Sequence, residues 1–230
     1  MAVIKEKDIK LPVNAICRVE HEGTTSFVYQ APGNSELTTN TQTDVLHWSL
    51  RVTVGNAIEY TPAAYVMYRS NYADNRIIFC VSFDSILQNY EFDLLDAVWK
   101  PGLLQKLKLP VLEDSYMTAL WDGSNLRVYY QGEDKKIREV LSDGLEGAWE
   151  VGATFHKASR PVPLAAYKGN GPLRLFYGQD RGIGQLLFDG KEWNNSRIPV
   201  SSSFQNRKPF EVQENESGEI TLYTIEAPTE

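Results

Sequence analysis

Histidine, cysteine, serine and clustered carboxylates carry most protein chemistry, and in this chain their spacing matches none of the familiar constellations. His21, His47 and His156 lie far apart and lack the close spacing of metal ligands. Cys17 and Cys80 are too few for a disulfide framework. Each sits among apolar neighbours, as in Ile78-Phe79-Cys80-Val81, and reads as a buried, reduced thiol. No Gly-x-Ser-x-Gly marks a serine nucleophile. Gly178–Gly184 is glycine-rich but lacks the Lys-Ser/Thr of a phosphate-binding loop, and reads as a hairpin turn. Asp84, Glu91, Asp93 and Asp96 show no Ca²⁺-loop pattern, and Glu133-Asp134 reads as a solvated turn. Asn194 and Asn215 each open a glycosylation triplet, a pattern that recurs by chance. The expectation is no metal and no cofactor, with no catalytic residue identified. Arg127 and Glu139 stand out as a guanidinium fork and a carboxylate on facing strands, which on a half-buried sheet would form an inter-strand ion pair.

Composition narrows the partners. The chain has 230 residues, 42% hydrophobic and 23% charged, which is ordinary globular composition. A formal charge of −7 opposes a phosphate-neutralising surface, so nucleic acid is not expected. No apolar run approaches the roughly 20 residues of a membrane span, so no membrane partner is expected. The first ten residues alternate charge with aliphatics and hold no continuous apolar stretch. The expectation is a cytoplasmic protein, or one secreted without a recognisable signal. The aromatic content is high, with 12 Tyr, 9 Phe and 5 Trp.

Those aromatics mark a repeat. Asn125–Gln131 recurs as Pro172–Gly178, and more weakly as Asn75–Val81, Thr25–Gln30 and Glu219–Thr224. A tryptophan follows each of the first four copies of this strand: Trp48, Trp99, Trp149 and Trp193, spaced 51, 50 and 44 residues apart. Trp121, in a turn-like Trp-Asp-Gly-Ser-Asn, stands outside the series. Leu109-Pro110-Val111 and Ile198-Pro199-Val200 close units, while Leu11-Pro12-Val13 does so at the start of the chain. The first eleven residues therefore read as the end of a unit begun elsewhere, matching the incomplete last copy.

Each unit reads as strands. Leu126–Gln131 is β-branched and aromatic, and Lys136–Leu141 returns as the second arm of a hairpin. Apolar strands precede it at Asn14–Val19, Ala63–Tyr68, Met117–Trp121, Pro163–Tyr167 and Pro209–Val212. Only Ile86–Trp99 leaves room for a helical turn. The fold expected is all-β, a single five-bladed β-propeller of four-stranded blades over 1–230. Its blades span about 12–55, 62–108, 115–155, 162–199 and 207–230, the last completed by 1–11. Radial repetition protects sheet edges, and terminal closure joins the ring.

Leu126–Gln131, Lys136–Glu139 and Trp149 together resemble the repeat of the fungal fucose-specific lectins, most clearly over 115–199. That resemblance implies a propeller with sugar sites between adjacent blades, no metal and no catalysis. It also implies that an arginine of the second strand and a glutamate of the third bind the sugar with a tryptophan. The best-known members have six blades. The count here is five, closer to the five-bladed animal lectins of the tachylectin type. Carried over residue by residue, one unit keeps Arg127, Glu139 and Trp149, and the next keeps Arg174 and Trp193 but has Gln185 for the glutamate. Ile77 and Asn89 stand at these positions in the second unit, Ser26 and Thr38 in the first, and Thr221 replaces the arginine in the last.

The chemistry suits such a ligand: the guanidinium donates from a rigid fork, the carboxylate accepts from vicinal hydroxyls, and an indole covers C–H groups. Strand alternation sets Arg127, Tyr129 and Gln131 on one face, and Leu126, Val128 and Tyr130 on the other. The expected function is a lectin-like carbohydrate-binding protein for fucose-type sugars. One good site per chain would demand a homo-oligomer for multivalent strength. Two alternatives follow from the eroded units. One is a cofactor-free cyclase, pericyclase or isomerase of a natural-product pathway, with a small-molecule ligand. The other is a non-catalytic protein-interaction propeller.

Overall fold

Strands of this chain are apolar on both faces, which requires a neighbour on each side: all six residues of Leu126–Gln131 are buried. The computed structural model describes residues 6–42, 51–70, 73–144, 147–158, 160–179, 182–197, 209–215 and 219–226. After β1 (Glu6–Lys10), the first sheet is β2 (Ala15–His21), β3 (Thr24–Gln30), β4 (Glu36–Gln42) and β5 (Val52–Asn56). The second is β6 (Ala64–Ser70), β7 (Ala73–Val81), β8 (Leu87–Asp93) and β9 (Val98–Pro101). The third is β10 (Met117–Trp121), β11 (Leu126–Gln131), β12 (Lys136–Ser142) and β13 (Glu150–Lys157). The fourth is β14 (Leu164–Tyr167), β15 (Leu173–Gln179), β16 (Gly182–Phe188) and β17 (Trp193–Arg197). All four are antiparallel and ordered as in the chain, and the molecule is an all-β propeller of four-stranded blades.

The last sheet differs. Its order is β1, then β19 (Ile220–Glu226), then β18 (Phe210–Glu214), and β1 runs parallel to β19. Up-down alternation gives a reason for that polarity. A segment leading into the first strand of one blade runs like the fourth strand of its neighbour. A fourth strand is parallel to the second, so without a third strand between them the two meet in parallel.

Apolar side chains from facing sheets form the core in separate wedges. Val66, Ile77 and Phe79 meet Leu126, Val128, Tyr130 and Trp149 between the second and third sheets. Val28, Leu37 and Val54 meet Tyr65, Ile78 and Trp99 between the first and second. Tyr129 and Ile137 meet Leu175, Tyr177 and Trp193 between the third and fourth. The alternation expected along Leu126–Gln131 is thus realised, with Val128 and Tyr130 in one wedge and Tyr129 in the next. The first strands β2, β6, β10, β14 and β18 line one cavity of about 930 Å³.

Two expectations need correction. Ile86–Trp99 holds no helical turn: it pairs as β8 and β9, and a short 3-10 helix follows at Leu104–Leu107. Tyr90 and Phe92, two residues apart, share one side of β8 and pack in one wedge with Trp99, whereas a helix would turn them to opposite sides. Trp121 is not in a turn but ends β10, stacked on Tyr68 at 4.4 Å between ring centres. Trp48, His47 and Ile198–Val200 lie outside the described residues.

Candidate functional site

The third-strand register decides which side chains share a cleft. Tyr129 lies directly opposite Glu139 and Arg127 opposite Leu141, so Arg127 and Glu139 are diagonal neighbours on one face of the third sheet. Arg127 Nη1 donates to Glu139 Oε1 at 2.7 Å, and the Tyr129 hydroxyl donates to the same oxygen at 2.9 Å. Glu139 Oε2 accepts from the Ala153 amide at 3.1 Å. That approach works because Gly152 precedes it: a Cβ there would lie 2.6 Å from Glu139 Oε2. Arg127 and Glu139 side chains are only 8% and 4% exposed.

A third charged group joins them. Asp122, in the turn between β10 and β11, receives the Ser124 and Asn125 amides on Oδ1 and Arg127 Nε on Oδ2, the last at 2.5 Å. Burial pulls against the charge on Arg127, but Asp122 and Glu139 more than restore it, so the guanidinium is held charged beyond its ordinary range. Burial likewise opposes the Asp122 carboxylate, yet the Asn125 amide, Arg127 and the Ser124 amide together hold it below the usual aspartate value. Burial, with the Glu139 carboxylate beside it, drives the Tyr129 phenol well above its ordinary range, which keeps it a donor.

The opposite wall comes from the fourth sheet. Phe188 lies under Arg127, with the guanidinium carbon 4.8 Å from the ring centre. Trp193 is tilted against Phe188 at 5.2 Å and edge-on to Tyr129 at 5.8 Å and to Phe155 at 5.1 Å. The structure therefore sets Trp193, and not Trp149, on the side of the Arg127–Glu139 pair, against Tyr129 and Phe188. Trp149 points the other way, edge-on to Phe79 at 5.7 Å in the wedge between the second and third sheets, with its Nε1 unbonded among the described residues. Arg and Glu positions face forward to the next sheet, whereas each described fourth-strand tryptophan faces back to the previous one. Grouping them within one unit is the error that sequence spacing invites.

The same rule describes the other clefts. Between the first and second sheets Trp99 Nε1 donates to Thr39 Oγ1 at 3.2 Å. Thr39, opposite Val28, holds the glutamate position there. Thr38 lies one residue off, opposite Tyr29, and corrects the alignment drawn from sequence. Between the second and third, Ile77 replaces arginine, and Asn89 Oδ1 is taken by the amide of buried Leu104 at 3.1 Å. In the fourth sheet Gln185 lies opposite Phe176, as Glu139 lies opposite Tyr129, but its Nε2 is buried and unbonded among the described residues. Arg174 is half-buried, and the sequence has no tryptophan after Trp193 to face that pair. Sequence reasoning missed Asp122, Tyr129 as a donor, Phe188 and Gly152. The Asp-Gly-Ser-Asn turn five residues before Arg127 was the one visible sign of Asp122.

No family model matches the chain. It is 30% identical to the fucose-specific lectin of Aleuria aurantia over 161 residues, 65% of this chain and 50% of that protein. Among solved structures it is similar to the Aleuria aurantia lectin in complex with Fucα1-6GlcNAc, with a TM-score of 0.70 and 24% identity over 84% of this chain and 65% of that one. AofleA from Arthrobotrys oligospora matches at a TM-score of 0.69 and 20% identity, over 93% and 62% of the two chains. The SapL1 lectin in complex with α-methyl fucoside matches at 0.68 and 17%, over 83% and 65%. The chain spans about half the length of its curated relative and roughly two thirds of these structures. The Aleuria lectin is described as a six-bladed propeller. The resemblance to the fungal fucose-lectin propellers, read first from the repeat, therefore holds for both sequence and fold.

Proposed function

We propose that this chain is a lectin-like carbohydrate-binding protein whose cleft between the third and fourth sheets takes a fucose-type sugar. The observation that carries this reading is the buried Arg127–Glu139 pair set between Tyr129 and Phe188, the two rings against which Trp193 packs. A sugar hydroxyl would accept from Arg127 Nη2, which lies outside the two ion-pair bonds, while a neighbouring hydroxyl donates to Glu139 Oε2, which carries one amide bond. The indole of Trp193 would cover the C–H face. Similarity to a protein named as a fucose-specific lectin supports the ligand class. Arg174 and Gln185 would form a second, weaker site, because a neutral amide accepts less strongly than a carboxylate. With one strong site per chain, an oligomer would supply avidity.

The five-bladed ring belongs to the same proposal. It is supported by the β1–β19 pairing, by the Arg18–Glu211 ion pair between β2 and β18, and by Ile225 packing with Phe27 and Tyr29. Titration with methyl α-fucoside tests the sugar site. The wild-type chain is expected to bind in the μM to mM range, about −8 to −4 kcal/mol, and Arg127→Ala or Glu139→Ala to abolish binding. Absence of binding across a broad array of fucosylated glycans would overturn the reading.

A further inference from the structure

We propose that Asp122 is a specificity-determining residue of this cleft, neutralising Arg127 in advance and thereby restricting the site to uncharged sugars over acidic ones. This rests on the glycan-binding reading and deepens it by naming the substrate class. A lone buried arginine is a general anion receptor, because its fork pairs bidentately with any carboxylate. Arg127 is not alone. Asp122 takes Nε and Glu139 takes Nη1, so two carboxylates face one guanidinium in a cleft where all three side chains are at least nine-tenths buried. The cluster carries a formal charge of −1 before any ligand arrives. The carboxylate of a uronic or sialic acid would be desolvated beside that excess and would find the fork partly occupied. A neutral sugar needs only one donor and one free acceptor edge, which Nη2 and Glu139 Oε2 supply.

Asp122 is also placed by construction. Its Oδ1 is locked by the Ser124 and Asn125 amides, which aims Oδ2 at Arg127 Nε. In the fourth sheet Tyr167 lies opposite Arg174, as Leu120 lies opposite Arg127. Gly169 then stands where Asp122 stands, so the fourth sheet's own turn offers Arg174 no aspartate, and the carboxylate against Gly169 is Glu214 of the last sheet, held by the Tyr167 hydroxyl. The turn aspartate accompanies the pair that keeps its glutamate.

Calorimetric titration of the full chain with methyl α-fucoside and with methyl α-galacturonoside tests this. The wild type is expected to bind the neutral glycoside at least tenfold more tightly than the acidic one. Asp122→Asn keeps the turn oxygen and removes the charge, and should raise acidic-glycoside affinity at least tenfold relative to the neutral one. Asp122→Ser, which also leaves an oxygen for the turn amides, serves if that variant does not fold. An unchanged ratio of the two affinities in a folded variant means that Asp122 is only structural and overturns the inference. Wild type binding both glycosides equally overturns it as well. Wild type binding neither overturns the glycan-binding reading beneath it.

Discussion

Arg127 is held by a carboxylate on either side and an aromatic ring beneath, and such confinement separates a positioned donor from a mobile surface arginine. The two neighbouring tryptophans then have different jobs. Trp193→Ala removes one wall of the cleft and should weaken methyl α-fucoside binding at least tenfold. Trp149→Ala empties a packing position against Phe79 and should cost about 3–5 kcal/mol of stability, with binding by the folded fraction unchanged. Denaturation and titration of both variants separate these outcomes, and a folded Trp149→Ala chain that no longer binds would reverse the assignment. Asp122 adds a pH signature. Its folded value lies below the ordinary 3.8, so its contribution to stability is fully present above that pH and is lost as the pH falls through the lowered value. Stability of Asp122→Asn, measured by denaturant titration, should therefore fall less steeply than wild type as the pH drops below 3.8.

At the level of elements, the cleft depends on β13 as much as on the strands bearing its charged groups. Gly152 lets the β13 backbone close on Glu139 so that the Ala153 amide can hold Oε2. Gly152→Val is expected to displace that carboxylate and weaken methyl α-fucoside binding at least tenfold while the sheet still folds. Unchanged affinity would show that Oε2 plays no part. The alternation of β11 was legible in the sequence, because side chains on a strand turn over every second residue. The third-strand register was less so: Thr38 and Thr39 differ by one position, and only the ladder to Val28 and Tyr29 tells them apart. Leu104 was hidden for another reason. Its short helix has no periodic signature, yet its amide and side chain occupy the cleft region beside Asn89.

At the scale of the whole molecule, the first and last sheets meet through charge as well as apolar contact. Arg18 Nε and Nη2 donate to both oxygens of Glu211 at 2.9 and 3.0 Å, and Nη1 to Glu20 at 2.8 Å. Burial lowers the tendency of Arg18 to stay charged, and Glu211 and Glu20 raise it beyond its ordinary range. A double-mutant cycle with Arg18→Met and Glu211→Gln should give a coupling of about 1–2 kcal/mol, since bidentate, partly buried pairs are not additive. A coupling below about 0.3 kcal/mol would mean that this pair does not hold the two sheets together.

What the sequence determined by itself was the local grammar: repeated aromatic strands, hairpins between them, an all-β fold, and Arg127 and Glu139 as the polar pair worth watching. These follow from period-two alternation and turn chemistry, which act over a few residues. The tertiary structure decided which tryptophan lies on the side of that pair, because Trp193 belongs to the fourth sheet and reaches Tyr129 of the third only when sheets stack. It also decided that Asp122 completes the charge cluster, since the turn's amides and the strand's twist aim one carboxylate oxygen at one guanidinium nitrogen. Spacing along a chain records neighbours within a blade, whereas a cleft is built between blades.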